Sequence, residues 1–489
     1  MDNLAHGWKI HQKGLHSKAE QEYQRELNDP TASLQRKALA WCYLGILYYD
    51  LGKYSQSLTA YNTAIQMYPQ FPVALSNRAN TLSALNRIDE AIASCEAAIE
   101  LKPEYSTAWT NLGTIRTTCG QLDAAIACFE KSLSFLSTDN EPAHRNLGAA
   151  LTYQGRFQDA LRHTERAIQI NPASAESHRN HATLTLLHED FEHGWTEYEW
   201  RFQCSDMKLP TYPFPKFKGG SLSGKSLLLH AEQGLGDSIH FIRYAQLAAR
   251  AGARVLFHCP PALCKLFNHL PFIDKIIPMT SAAPRCDFHL PLMSAPLIFQ
   301  TRMESIPNEI PYITPDPTLV QQWKAWLSQQ TGRLKVGIVW QGNPDHLADW
   351  QRSLPFHALE GLAHDDITFI PLQLGPGREQ LDGKTVLNIA DPGERLDCDS
   401  GPFMDTAAII SQLDLVIGSD TAVIHLAGAL HVPTWVALSV APDWRWMLNR
   451  DDSPWYPSMK LFRQSQCGDW SDVIQSMRDL LKKVQPRKC

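Results

Sequence analysis

The chain lacks several features that would have named a class at once. No run approaches the ~20 consecutive apolar residues of a membrane-spanning helix. The start, Met1-Asp2-Asn3-Leu4-Ala5-His6-Gly7-Trp8, has no basic segment leading into an apolar one, so a secretory leader is not expected. The eleven cysteines include no C-x-x-C pair. Free thiols in a reducing cytoplasm are therefore expected, rather than a disulfide framework or a zinc site. There is no excess of positive charge: 45 Lys+Arg against 51 Asp+Glu leaves −6, which argues against nucleic acid or an anionic membrane as the main partner. Hydrophobic residues at 44% and charged residues at 20% exclude disorder over most of the chain. At ~150 residues per domain, 489 residues suggest about three domains.

What is present begins with a fixed period. Trp41-x-x-Leu44-Gly45 recurs as Trp109-x-x-Leu112-Gly113; Pro69 and Pro103 lie one period apart, and Pro172 follows Pro103 by 69 residues, about two periods. Ala64, Ala98 and Ala167 precede those prolines, while Ala91, Ala125 and Ala160 open second helices. Units begin near 38, 72, 106 and 141, with a weaker one near 175 and a partial one before 34 (Ala19, Tyr23). This pattern resembles the tetratricopeptide repeat, of period 34. Each unit is a helical hairpin that buries its apolar face only by stacking on its neighbours. Asn77, Asn111, Asn146 and Asn180 share one place in four units, on the first helix of each hairpin. They are expected to form a ladder along the groove, because an amide can donate to and accept from a peptide backbone whatever its sequence. Asparagine is also a common consensus residue at that place. The array resembles that of the nucleocytoplasmic O-linked N-acetylglucosamine transferase, in which such a ladder holds extended acceptor polypeptide. Trp195, Tyr198, Trp200 and Phe202 predict a capping helix at the end of the array, before Pro210, Pro213 and Pro215 break the pattern.

From Ser226 the period changes. Strands are predicted at 226–230, 254–258, 273–278 and 288–290, with a helix over 238–251. After a proline-rich crossing at 307–317 the pattern restarts, with strands at 335–340, 368–372, 386–389, 413–417 and 434–438 and helices at 405–412 and 421–430. Alternation of this kind predicts parallel, doubly wound sheets with ligands at the cleft between them. The domains expected are a solenoid with its capping helix over 1–204, a Rossmann-like acceptor-side domain over 205–317, and a Rossmann-like donor-side domain over 318–489. The last helix of the third is expected to cross back to the second.

Gly234-Leu235-Gly236 after the first strand is not a dinucleotide fingerprint, since Ile239 stands at the third glycine place and no acid ends the second strand. It is not a phosphate-binding P-loop either. Asp237 follows it at the mouth of the cleft. In the second half, Ser419-Asp420-Thr421-Ala422 leads into a helix whose free N–H groups and dipole suit a diphosphate, and His425 lies one turn further on. Ser419 or Asp420 could instead cap that helix, and His425 could be a core residue. Arg352 could neutralise phosphate charge or lie on the surface.

Together, Glu232-Gln233-Gly234-Leu235-Gly236-Asp237, Trp340-Gln341-Gly342-Asn343-Pro344, Arg352, Ser419-Asp420-Thr421-x-x-x-His425-Leu426-Ala427 and Ala441-Pro442-Asp443-Trp444-Arg445-Trp446 resemble GT-B glycosyltransferases. The similarity is to the heptosyltransferase-like family nine, in the branch fused to tetratricopeptide repeats. The resemblance implies an inverting transfer with Asp237 as the general base, and a donor diphosphate held by Thr421, Ala422 and Arg352. It implies no metal and no cofactor beyond the nucleotide-diphosphate sugar. Asp397-Cys398-Asp399 is a weak cation candidate. Further donor contacts are expected from Gln233, Gly234, Gly236, Gln341, Asn343, Gln373, Asp405, Thr406, Ser419, Asp420, His425 and Trp444, although Asp405-Thr406 also reads as the N-cap of its own helix. Family members often carry lysine at the place of Arg352, and Ser-Gly at that of Thr421-Ala422. Three readings stay open: transfer to a polypeptide held by the repeats, transfer to a glycan or lipid-linked sugar with the repeats serving assembly, and a non-catalytic scaffold.

Overall fold

The computed structural model describes residues 2–135, 140–346 and 348–487. The chain divides into two compact units, Met1–Ser177 and His178–Cys489.

The first unit is a run of antiparallel helical hairpins: Asn3–His11 with His16–Asn28, Leu34–Asp50 with Tyr54–Met67, Pro72–Ala84 with Ile88–Leu101, Ser106–Thr118 with Leu122–Phe135, and Glu141–Tyr153 with Phe157–Ile170. The segment before residue 34 is thus a full hairpin. Trp8 and Tyr23 both stack on Tyr43 of the next hairpin, with centroids 5.3 and 5.4 Å away.

One size rule sets how closely the helices of a hairpin approach. A Cβ on Gly45 would lie 2.6 Å from the Tyr61 ring, one on Gly113 2.6 Å from Phe129, and one on Gly148 2.8 Å from the Thr164 methyl. In the first hairpin a Cβ on Gly7 would lie 2.7 Å from the Tyr23 ring, and in the third the same two places hold Ala79 and Cys95, both fully buried. Where the second helix carries an aromatic ring, glycine faces it on the first, and alanine is found only where the partner is the small Cys95. The turns repeat too: Gly52, Asn86, Gly120 and Gly155 all take φ between 58° and 79°. Glycine and asparagine are the residues that accept this left-handed backbone most readily.

Gly113→Ala should therefore destabilise the helical array by about 1–3 kcal/mol through overpacking, although alanine is the better helix former. Adding Phe129→Leu should restore much of the loss. Urea unfolding followed by circular dichroism checks both, and a stabilised Gly113→Ala protein would refute the size rule.

His144 and His163 face each other through their Nδ1 atoms at 2.9 Å, with stacked rings. One must donate and the other accept, so both cannot be charged. Burial, then the His163 charge, pushes His144 down from the ordinary 6.5 to about 4. The unfolded chain takes up a proton near 6.5 that the folded one refuses until about 4, so stability falls as pH drops through that window. Unfolding midpoints at pH 7 and 5 should show the drop in the native protein and a smaller one in His144→Gln.

The second unit contains two parallel sheets with helices. In the first, β1 (Ser226–His230), β2 (Arg254–Cys259), β3 (Lys275–Pro278) and β4 (Phe288–Pro291) lie in the order β3-β2-β1-β4. In the second, β5 (Leu334–Val339), β6 (Ile367–Pro371), β7 (Leu415–Ser419), β8 (Thr434–Leu438) and β9 (Met459–Arg463) lie in the order β6-β5-β7-β8-β9. The strands are almost wholly buried and apolar, as parallel strands covered on both faces must be.

Several expectations are corrected. Both sheets belong to one unit, because side chains from each reach the other: Arg243 donates to the Trp455 carbonyl (2.6 Å) and His240 meets the Tyr456 hydroxyl (3.0 Å). The boundary falls at Ser177/His178 and not at 204/205. The expected capping helix, Phe191–Tyr198, packs within the second unit, where Trp195 donates to the Thr301 carbonyl (2.9 Å) and meets Trp444 edge-on. The final helix, Ser471–Leu481, does not cross back. Its apolar side, Val473, Ile474, Met477 and Leu481, joins the core of its own sheet with Leu359 and Leu362. Residues 386–389 form only a single bridge, Phe369 to Ile389, and β9 was not foreseen. The expected helix 238–251 is two helices, Leu235–Phe241 and Tyr244–Arg250, and at the break Arg243 Nε donates to the His240 carbonyl (2.7 Å).

Candidate functional site

Strand order locates the site. In an open parallel sheet, ligands bind beyond the carboxyl ends of the strands, where the order reverses. The first sheet reverses at β1, whose end leads into Ala231–Gly236. The second reverses between β5 and β7, whose ends lead into Trp340–Asn343 and Asp420–Ala422.

These ends converge. A Cβ on Gly236 would lie 3.0 Å from His425 Cδ2, 3.5 Å from Ala422 Cα and 3.7 Å from Ala422 N. A Cβ there would press on the His425 ring, so glycine suits the close approach of the start of helix Leu235–Phe241 to the start of helix Ala422–Ala429. Thr421 occupies the N-cap place without a capping bond, and its buried Oγ1 has no hydrogen-bond partner. Neither alternative cap is used. Ser419 Oγ donates to the Trp340 carbonyl (2.9 Å), tying β7 to the end of β5. Asp420 Oδ1 faces His425 Nε2 at 3.4 Å. Burial alone would raise the Asp420 carboxyl, but the His425 contact, with Trp446 and the Arg352 charge, holds it low. His425 is buried, stacks on Trp446 and places Nδ1 3.1 Å from the Tyr456 hydroxyl.

Asp237 stands across from this group. Its Oδ2 accepts from the Gly234 amide (2.8 Å), closing the first turn of its helix, and its Oδ1 accepts from Arg445 Nη2 (2.5 Å). The side chain is 21% exposed, while that of Arg445 is 6% exposed. Burial would lower the Arg445 guanidinium, but Asp443 and Asp237 outweigh it and hold the charge firmly.

Arg352 packs on Gly342, whose added Cβ would come within 2.5 Å of its Nη2, and its Nε donates to Asp349 (3.1 Å). Gln373 is placed to shape this loop. Its Oε1 accepts from the Trp340 and Gln341 amides (3.2 and 3.1 Å), and its Nε2 donates to the Gln341 and Pro376 carbonyls (3.1 and 2.8 Å). The Gln341 side-chain carbonyl accepts from Gln380 at 3.0 Å, and exposed Asn343 closes its own turn onto the Asp345 amide. Gln233 bonds the Tyr198 hydroxyl at 3.4 Å.

Three candidates lie elsewhere in local structure. Asp405 accepts from Trp323, the Asp397 amide and Ser400, and Thr406 bonds Asp397, so both anchor a loop. The Asp397 carboxylate takes both the amide and the hydroxyl of Thr406. Trp444 is 2% exposed, enclosed by Trp195, Tyr198, Phe241 and Trp455. No group of three or more His, Cys, Asp or Glu among the described residues is arranged to hold a metal.

The asparagines prove partly structural. Asn111 Nδ2 donates to the Ser76 carbonyl (3.2 Å) and hydroxyl (2.9 Å), and Asn146 Nδ2 to Thr114 Oγ1 (3.0 Å), each in the preceding repeat. Asn146 Oδ1 also accepts from its neighbour Arg145 (3.3 Å). Asn77 is half-buried in the same unit, and Asn180 lies in the second unit.

Tyr456, His240, Arg243 and Arg201 were not selected from the sequence, and Glu232 and Arg445, which stand within stretches that carry the resemblance, were given no role. One signal was available for Arg445: an arginine between two tryptophans in an apolar stretch must find an acid if it is buried.

Residues 38–71 and 72–105 match one tetratricopeptide repeat model, and residues 104–173 match a second. Residues 38–173 are tetratricopeptide repeats. Protein FlbA of Caulobacter vibrioides is 27% identical over 517 aligned residues, spanning 92% of this chain and 85% of that one. Among solved structures, a thermophilic TPR protein of Thermus thermophilus is 18% identical, with a TM-score of 0.34, and covers 38% of this chain and 97% of its own. PilF of Pseudomonas aeruginosa is 20% identical, with a TM-score of 0.34, and covers 41% and 89%. No helix among the described residues is long and apolar enough to cross a membrane.

Proposed function

We propose that this chain is an inverting glycosyltransferase of GT-B architecture. It moves a sugar from a nucleotide-diphosphate donor to a polypeptide engaged by the repeats. The observation that carries the reading is the approach of Gly236, the residue before Asp237, to Ala422 and His425 at a helix start with an unpartnered threonine hydroxyl. In this mechanism Asp237 takes the acceptor proton as the acceptor oxygen attacks the anomeric carbon. The bond from that carbon to the diphosphate breaks from the opposite side, in one displacement. The N–H groups at the start of helix Ala422–Ala429 and the Arg352 guanidinium receive the negative charge left on the diphosphate. Each oxygen of Asp237 keeps a second lone pair beside the bond it already accepts, so proton uptake does not require the existing bonds to break.

Calorimetric titration with nucleotides and nucleotide sugars tests the donor site. At least one should bind, and Arg352→Ala should weaken it roughly tenfold or more, the loss of one charge-assisted contact. If none binds, the scaffold reading replaces this one. Mass spectrometry of the product then decides the acceptor. Sugar on a protein supports the proposal, while sugar only on a glycan or lipid overturns its acceptor.

A further inference from the structure

We infer that Arg445 is a positioning residue, reaching from the connection after β8 to hold the Asp237 carboxylate beyond β1, so that this carboxylate is aimed only while the two sheets are together. The inference rests on the reading of Asp237 given above.

The guanidinium is itself fixed. Its Nη1 donates to Asp443 Oδ1 (2.7 Å), and its backbone amide donates to the same oxygen (3.0 Å). Its central carbon lies 4.3 Å from the centre of the Trp444 ring and 5.2 Å from that of Phe241. Nη2 reaches Asp237, while Nε is buried without a hydrogen-bond partner among the described residues. The arginine is nearly enclosed, so water cannot readily replace either carboxylate, and removing Asp237 leaves a nearly buried Nη2 without its acceptor. Asp237 is gripped on both sides, by its own helix start through Gly234 and by the opposite sheet through Arg445. The first grip is local and survives any movement of the sheets. The second exists only in the approach seen here. Lysine would keep the charge but could not offer two N–H groups in one plane to two separate carboxylates.

The test compares the full-length native protein with Arg445→Gln, Arg445→Lys, Asp237→Asn and the double variant Arg445→Gln/Asp237→Asn. Hydrogen exchange in helix Leu235–Phe241 should speed up about tenfold or more in each of the Gln and Asn variants, as expected for loss of a charge-assisted bond. The double variant should exchange no faster than the worse single one. In transfer assays, Arg445→Gln should lower kcat with donor KM unchanged, Arg445→Lys should fall between it and the native protein, and Arg445→Gln should add no further loss in the Asp237→Asn background. Exchange left unchanged by Arg445→Gln, or losses that multiply in the double variant, would overturn the inference. Should Arg445→Gln not fold, Arg445→Lys and Asp237→Asn still decide it by the same exchange measurement. Coupled exchange with no sugar transfer by any of these proteins would leave the clamp standing and sink the reading of Asp237 as a base.

Discussion

Asp237→Asn should lower sugar transfer by about 10²- to 10⁴-fold, the usual contribution of a positioned base, with donor affinity unchanged. Asparagine has nearly the same shape, so helix Leu235–Phe241 should still form. An amide, however, offers one acceptor oxygen where the carboxylate uses two, Oδ2 for the Gly234 amide and Oδ1 for Arg445, and it cannot take a proton near neutral pH. The residues proposed to hold the donor, Thr421, Ala422 and Arg352, follow strands of the other sheet, so calorimetric affinity for the nucleotide should hold. A loss confined to acceptor KM, or turnover within a few-fold of the native protein, would return Asp237 to a purely structural clip between its helix and Arg445.

Arg201→Met should destabilise the second unit by about 3–5 kcal/mol, the cost of leaving a buried charge without its partner. Arg201 and Glu232 are both 0% exposed. The guanidinium donates from Nε and Nη2 to Glu232 Oε2 (2.9 and 2.8 Å), from Nη1 to Glu199 Oε1 (2.8 Å), and from Nη2 to Ser294 Oγ (2.9 Å). Glu232 Oε1 accepts from the Met293 amide at 2.8 Å. The triad thus joins the turn after helix Phe191–Tyr198 to the ends of β1 and β4, one residue before Gln233-Gly234. The double variant Arg201→Met/Glu232→Leu should recover part of the loss, because it removes the orphaned carboxylate as well. Urea unfolding followed by tryptophan fluorescence measures both. An equal or greater loss in the double variant would show that packing around the guanidinium, rather than charge, is what Arg201 supplies.

The solenoid was legible because its information is local. Each hairpin is specified by residues within about one 34-residue period, and Gly45–Tyr61 and Gly113–Phe129 stand out along the chain as recurring small and large partners. The strands and their turns were legible for a similar reason: buried parallel strands read as short apolar runs. The misses fall where neighbours in space are far apart in sequence. Phe191–Tyr198 reads as a cap for the helices before it. Its aromatic face instead meets Trp444 and Trp455, which no local pattern connects to it. The closing helix is amphipathic on either account, and only the position of Leu359 and Leu362 determines which surface it covers.

The same distinction runs through the candidate site. Sequence pattern was enough to bring Asp237, Gly236, Arg352 and the Thr421–His425 turn to the carboxyl ends of strands, because a βα unit places its loop residues there by connectivity alone. It could not show that Gln373, Asp405 and Thr406 commit their polar groups to neighbouring loops, or that Trp444 is enclosed. Hydrogen bonds and burial are pairwise properties, and half of each pair lies on another element. Nor could it show Arg445 meeting Asp237, 208 residues away. That contact depends on two sheets approaching over one glycine, and the distance between sheets is a property of the packed fold and of no segment within it.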